Sequence, residues 1–343
     1  MEWTLYRDDS GFDALRDEWN DLLGRSRFDT IFLTHEWQST WWRYLGQSRG
    51  PLYILAGRDA GRLVAILPMY AQEQDGPALQ VVGCIEVSDY LDLIIEEGYE
   101  EEVFRGFLAW LSGPDAPEWD FVDLCNQPAA SLSHTLLPKL AEAAGFVAEV
   151  AQEDVSPVIT LPGPEDQEDA WDTYLASLDK KERHEIRRKL RRVEREAPDA
   201  AIRFVGAGPD LGAAVDTFIA LHRNSRSDKH AFMTEEMQAY FRAIAGVLAE
   251  RGWLQLSFLE VGGQPVATYF CFDYRNDILV YNSGYDPAGV PQLSPGWVLL
   301  ARLIEHAIAI GRRRFDFLQG NEDYKYRFGG VDTPVFRTIL RRK

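Results

Sequence analysis

The sequence predicts an α+β chain made of two tandem copies of one domain, each a mixed, mainly antiparallel sheet flanked by helices. Three observations lead there. Residues 52–67 (LYILAGRDAGRLVAIL) align without gaps on residues 254–269 (LQLSFLEVGGQPVATY) at an offset of 202, with Gly61 over Gly263 and Val64-Ala65 over Val266-Ala267. Residues 121–124 (FVDL) parallel 314–317 (RFDF) at an offset of 193. In both halves a hairpin, a third strand, a helix and another strand follow in the same order. The Pro/Gly content of 156–164 marks a linker. The first domain therefore spans 1–155 and the second 156–343, with the last strand free to return to the first.

The elements follow from local patterns. A strand is expected at 3–6, then a helix with Phe12, Leu15, Trp19, Leu22 and Leu23 on one face. Thr34 suits the N-cap of a helix carrying Trp37, Trp41, Trp42 and Tyr44. Strands are expected at 52–56, 62–70, 79–84 and 90–95, the first two joined by the turn Asp59-Ala60-Gly61. A helix at 100–111, a strand at 121–125, a helix at 132–144 and a strand at 146–150 complete the first copy. A short strand lies inside the linker. One long amphipathic helix is expected at 168–196, then helices at 211–224 and 235–251. Strands at 254–260, 265–274 and 278–283, a helix from Pro295 to Gly311, and strands at 315–318 and 334–340 complete the second copy.

Composition sets bounds. A hydrophobic content of 46% with 12% aromatics is that of a folded chain, not a disordered one. No basic-then-apolar leader and no apolar run of spanning length is present, so a cytoplasmic protein without a transmembrane segment is expected. Cys84, Cys125 and Cys271 are scattered in apolar runs and read as reduced core residues. His35-Glu36 lacks the second histidine of a zinc helix, and no metal is expected. Residues 1–160 hold 10 Lys and Arg against 28 Asp and Glu, whereas 161–343 hold 26 of each. The acidic half repels DNA and anionic membranes.

The stretch 293–328 (LSPGWVLLARLIEHAIAIGRRRFDFLQGNEDYKYRF) is where chemistry would sit. Ser294 suits an N-cap, Pro295 the first helical position, and Gly296 leaves the first turn bare. A bare helix N-terminus after a strand is a ready phosphate site. Its counterpart in the first copy begins amid Glu96, Glu97, Glu100, Glu101 and Glu102, which exclude a phosphate. If one copy holds a phosphate-bearing cofactor, it is the second.

The hairpin, the strand 265–274, the run Tyr281-Asn282-Ser283-Gly284-Tyr285-Asp286, LSPGWVLL and the strand 315–318 resemble the acyl-CoA-binding half of GNAT acyltransferases. The tandem arrangement, the basic helix around 181–195 and the ending Tyr324-Lys325-x-x-Phe328-Gly329-Gly330 resemble the branch holding CelD/BcsL-type (cellulose biosynthesis-type) acetyltransferases. That branch is related to the Fem-type aminoacyltransferases.

The resemblance implies transfer of an acyl group, acetyl in the simplest case, from acyl-CoA (acetyl-CoA). The acceptor would be an amine or hydroxyl of a small molecule or a cell-envelope or polysaccharide (glycan) precursor, held in a cleft between the domains. Oligomeric state stays open. A Fem-type transfer from aminoacyl-tRNA and a non-catalytic binding pair are the alternatives. For cofactor binding the resemblance implies backbone N–H groups near Tyr269, Phe270 and Cys271 for the thioester carbonyl, and those of Ser294, Gly296 and Trp297 for the pyrophosphate. Tyr324 or Tyr326 would protonate the departing thiolate. Lys325 would neutralise charge on the carbonyl, or is a lysine on a solvated turn. Asp89 would orient or deprotonate the acceptor beside Tyr90, or is a turn aspartate. His222 is a base or a satisfied helix-end histidine. Arg226 follows it as a substrate contact. Arg183 and Arg187, four residues apart on one helix face, grip an anion or line a solvated face. Tyr281 and Tyr285 complete the expected substrate contacts.

Overall fold

The computed structural model describes residues 1–72, 76–83, 87–163 and 169–343. The chain divides into two compact units, Met1–Val155 with Pro334–Lys343, and Ser156–Thr333. In both units the strands form a mixed, mostly antiparallel sheet flanked by helices.

Unit 1 runs β1 (Glu2–Tyr6), α1 (Ser10–Leu23), α2 (His35–Trp41), β2 (Leu52–Asp59), β3 (Arg62–Gln72), β4 (Ala78–Val81), β5 (Ile94–Ile95), α3 (Glu100–Leu111), β6 (Phe121–Pro128) and α4 (Leu137–Ala143). With β13 (Val331–Arg342), its sheet order is β1-β2-β3-β4-β6-β13. Thr34 caps α2 as the sequence suggests, its Oγ1 accepting from the Trp37 N–H at 3.2 Å. Only 94–95 of the strand expected at 90–95 pairs, against β3. Only the end of the helix expected at 132–144 forms.

Unit 2 begins within β7 (Phe146–Thr160) and continues α5 (Ala170–Ser177), α6 (Lys180–Glu196), β8 (Ala201–Val205), α7 (Leu211–Ser225), α8 (Ser227–Phe232), α9 (Glu235–Glu250), β9 (Leu254–Val261), β10 (Gln264–Tyr274), β11 (Asp277–Tyr285), α10 (Pro295–Ala309), β12 (Arg314–Asp316) and α11 (Asp323–Arg327). Its order is β8-β9-β10-β11-β12-β7. The expected linker strand is thus the end of one long strand. The single helix expected at 168–196 is two: Leu178 is extended (ψ 158°) and turns into the core, 8% exposed. Strand β8 and helix α8 were not expected. Glu168, the expected start of that helix, and Cys84 lie outside the described residues. Cys125 and Cys271 are free and buried.

The repeat is visible in register. Ala78 pairs in parallel with Phe121 and Gln80 with Asp123 in unit 1; Asp277 pairs in parallel with Arg314 and Leu279 with Asp316 in unit 2. The 193-residue offset carries Phe121 onto Arg314 and Asp123 onto Asp316. The core of unit 2 packs α10 (Val298, Leu299, Leu303), α6 (Ile186, Leu190) and the inner face of β10 and β11 into one apolar cluster.

Candidate active site

The site is built on β11 and the two segments that follow it. β11 pairs with β12 only through Asp277, Ile278 and Leu279. β12 stops at Asp316, so among the described residues no strand pairs with 280–285 on the side away from β10. A bulge between Phe270 and Cys271 leaves Tyr281 opposite no residue of β10. The Tyr281 N–H points to the Cys271 thiol.

This geometry corrects one expectation. Tyr269, Phe270 and Cys271 lie on β10, which is paired to β9 on one side and β11 on the other. Their backbone is committed to the ladders. The free edge belongs to β11.

The segment that leaves β11 leads into α10. Pro295 takes the first helical position, but Ser294 does not cap the helix. It sits in the left-handed region (φ 53°), its N–H bonds the Pro291 carbonyl, and its Oγ accepts from the Lys189 ammonium at 2.9 Å. The left-handed backbone turns the hydroxyl away from the N–H groups it was expected to satisfy. Among the described residues the Gly296 and Trp297 N–H groups have no acceptor. A Cβ on Gly296 would meet nothing within 4 Å. The Trp297 indole N–H is buried without an acceptor among the described residues. Its ring lies between Lys189 (4.8 Å to the centroid) and Arg327 (4.5 Å). Arg192 donates to the Gln292 carbonyl at 3.0 Å. Burial holds the Lys189 ammonium below its usual range, with Glu185 opposing at 3.7 Å. Bare amides, an orphaned indole N–H, open space and two cations fit a pyrophosphate.

The matching end of α3 in unit 1 is closed. Each of its five carboxylates has a cation: Glu96 takes Arg25 and Arg62, Glu97 and Glu100 take Arg27, Glu101 takes Arg105, and Glu102 takes the N-terminal ammonium. Glu100 is 7% exposed and accepts the Gly98 N–H, so a built-in anion stands where unit 2 leaves room.

After β12 the chain turns through Leu318 (φ 58°) and Gly320 (φ 107°) into α11. Lys325 is 2% exposed. Its ammonium donates to the carbonyls of Leu318 (3.1 Å), Gln319 (2.6 Å) and Gly320 (3.0 Å), and lies 2.9 Å from a Glu322 carboxylate oxygen. The expected charge on a reacting carbonyl is not what this ammonium serves: its donors are spent on the turn, and it is no solvated-turn lysine either. Tyr326 is 37% exposed and donates to Asp332 at 2.8 Å, away from the turn. Tyr324 is the half-buried one of the pair, packed against the core of unit 2. Burial, and then the Glu322 charge, drive its phenol well above the usual range, so it stays protonated. It lies within electrostatic reach of Cys271 and Tyr269, whose own groups burial raises likewise.

The face of β11 above the splay is covered by α7 and α8. Gly284 is required there, because a Cβ would come within 2.4 Å of the His222 backbone N. His222 Nε2 is 3.1 Å from Asn282 Oδ1, and its Nδ1 is buried without a partner among the described residues. Burial first, then the Lys229 charge, push this imidazole down to about 4. It is therefore neutral at physiological pH and orients Asn282. Lys229, which the sequence reading missed, reaches the Ser283 carbonyl and hydroxyl from α8. Burial pushes it down to about 8. No local sequence signal marks it, because Ser227–Phe232 carries no motif.

The remaining expected residues lie elsewhere. Asp89 and Tyr90 belong to unit 1, where Tyr90, 3% exposed, packs edge-on against Phe28 and Phe32. Tyr90 is a core residue, not a substrate contact. Arg187 pairs with Asp172 at 2.7 Å, Arg183 donates to the Ala176 carbonyl, and Arg226 grips Asp228 through two bonds. These bonds fix α6 and α8 locally. Tyr281 stacks on Phe241, and Tyr285, 39% exposed, ends β11. Among the described residues no group of three or more His, Cys, Asp or Glu could hold a metal, and no helix is long and apolar enough to cross a membrane.

Comparison with known proteins agrees with this architecture. Residues 180–326 match the family described as "Acetyltransferase (GNAT) domain". The chain is similar to the crystal structure of FemX, at 10% identity and a TM-score of 0.66 over 98% of this chain and 97% of that one. It is also similar to a conserved protein of unknown function from Bacteroides thetaiotaomicron VPI-5482, at 13% identity and a TM-score of 0.63 over 99% and 100%. L-PGS from Bacillus licheniformis gives 12% identity and a TM-score of 0.57 over 98% and 92%. No curated protein matches the sequence. Residues 180–326 thus carry the GNAT-domain match, and the chain shares the fold of the FemX structure.

Proposed function

We propose that unit 2 is an acyl-CoA-dependent acyltransferase acting on an amine or hydroxyl of a small molecule or of a cell-envelope or polysaccharide precursor, as CelD/BcsL-type proteins would. One observation carries the reading. β11 parts from β12 after Leu279 and leads, through 286–294, into α10, whose bare N-terminus has Lys189 and Arg192 beside it.

Gly296 and Trp297 offer N–H groups to the pyrophosphate, and the helix dipole adds to their pull. Lys189 supplies positive charge at the same end. The coenzyme supplies an activated thioester carbonyl. The edge of β11 beyond Leu279, where the pairing with β12 ends, is the source of backbone donors for that oxygen. Tyr324 holds a proton beside Cys271 and gives it to the departing sulfur. Lys325 is a positioning residue, fixing the turn that presents Tyr324. The alternative donor, an aminoacyl-tRNA, needs a free basic surface. On α6, Arg187, Arg188 and Arg195 each face a carboxylate, which weakens that field.

The test follows free thiol as the protein is mixed with acetyl-CoA and a panel of amines and alcohols. Acceptor-dependent thiol release is expected. No release with any acceptor, together with no affinity for the coenzyme, would remove the reading.

A further inference from the structure

The two lysines of this site are treated in opposite ways. The Lys325 ammonium has four acceptors for three N–H groups, the environment of a charged amine. Lys229 has two: the Ser283 carbonyl and hydroxyl, both on one residue of the free stretch of β11. No carboxylate lies within ion-pair distance of its nitrogen among the described residues. A neutral amine has two N–H groups and one lone pair, so Ser283 satisfies both donors and leaves the lone pair unengaged. An ammonium there would carry a third donor with no protein acceptor among the described residues, in a half-buried position where hydration is incomplete.

We propose that Lys229 is the proton acceptor for the acceptor substrate's ammonium group, which makes that substrate a primary amine; this deepens, and rests on, the acyl-transfer reading of unit 2. The groups facing Lys229 are consistent with this. On α8, Arg226 lowers and Asp228 raises its affinity for a proton; Glu322, ahead of α11, raises it; His222 on α7 is neutral. Burial outweighs them all and sets the lysine near 8, close to a working pH. Glu322 also acts on Tyr324, so the proton acceptor and the proton donor stand about one carboxylate.

The protons balance. The neutral Lys229 amine takes one proton from the incoming ammonium. The freed amine nitrogen bonds to the acyl carbon as the carbon–sulfur bond breaks. Tyr324 gives its proton to the sulfur and recovers one shed by the nitrogen, by way of solvent. Lys229 then releases its proton to solvent. An amine fits this chain because a primary ammonium titrates near the lysine value of about 10.4, within reach of Lys229. A hydroxyl lies far above it.

Two measurements on the full chain test the proposal. Competitive labelling with trace acetic anhydride across pH, read by mass spectrometry, reports when Lys229 becomes neutral. Half-reactivity near pH 8 is expected, against about 10.4 for ordinary lysines; a value at or above 10 overturns the assignment. Kinetics with acetyl-CoA then compare glucosamine and propylamine with glucose and propanol. Lys229→Arg keeps the charge and the stem. It is expected to retain acetyl-CoA affinity within about threefold and to lose at least ~100-fold in kcat/KM for amines, along with the acid limb near pH 8. An unchanged rate and pH profile in Lys229→Arg, or equal use of the alcohols, removes the lysine role alone. Wild-type protein that neither binds nor consumes acetyl-CoA removes the acyl-transfer reading, and this role with it.

Discussion

Replacing Lys325 by Met keeps most of the buried stem and removes the charge. Three carbonyls, those of Leu318, Gln319 and Gly320, then lose a donor. The Leu318 carbonyl bond is buried and the other two are partly so, which allows water to reach the latter. Losing a partner in the buried case costs about 1–3 kcal/mol, and the two half-wet cases cost less. Glu322 is 55% exposed on its side chain, so its carboxylate rehydrates and adds little. The total is about 3 kcal/mol, the low end of what breaking a buried charged pair costs. With a urea dependence of about 2 kcal/mol per molar, the midpoint falls by about 1.5 M. Hydrogen exchange of peptides covering 314–330 along a urea series reads unit 2 without assuming that the two units unfold together. A midpoint moved by less than about 0.3 M, with turnover abolished, would show that the ammonium acts on substrate and would refute the turn-fixing role.

Two further outcomes are expected. Tyr324→Phe removes only the hydroxyl; acetyl-CoA affinity should stay within about twofold while kcat falls ~10²–10⁴-fold, and an unchanged kcat would place the proton donor elsewhere. His222 has a folded-state value of about 4 against 6.5 when unfolded, so the unfolded chain binds the proton more tightly. Its contribution to stability is complete above pH 6.5 and is lost as pH falls toward 4, by about 2 kcal/mol at pH 5. His222→Gln should remove that part of the acid sensitivity, and a variant with an unaltered pH slope would contradict the assignment.

Much of the fold was legible because it depends on local pattern. Apolar spacing located α1, α7, α9 and α10, and the gapless repeat placed β2 with β9 and β3 with β10. The 193-residue offset matched β6 to β12, and the structure gives the two strands corresponding parallel registers. Pro295-Gly296 marked the bare helix end correctly, since helix entry is written in adjacent residues. What failed depends on backbone turns and distant partners. Ser294 is a standard cap by residue type, yet its left-handed φ points the hydroxyl at Lys189, 105 positions away in sequence. Tyr324 and Tyr326 are indistinguishable by composition; the single turn of α11 half-buries one against the core and exposes the other. Lys325 lost its expected role because Leu318, in a conformation rare for leucine, gathers three carbonyls around it. Tyr269 to Cys271 looked like the splayed strand, but the neighbour order puts the free edge on β11. Lys229 carried no sequence signal, since its meaning comes from Ser283 alone.

The central claim is that one copy of the repeat, and only that copy, holds the donor at the N-terminus of α10. Titration calorimetry with acetyl-CoA, on the wild type and on Gly296→Glu, addresses it most directly. The added carboxylate would enter open space where a pyrophosphate belongs and would repel it. The account predicts one site per chain in the wild type and none in Gly296→Glu, with both chains folded alike. Two sites per chain, undiminished binding in the variant, or no heat at millimolar coenzyme would contradict it.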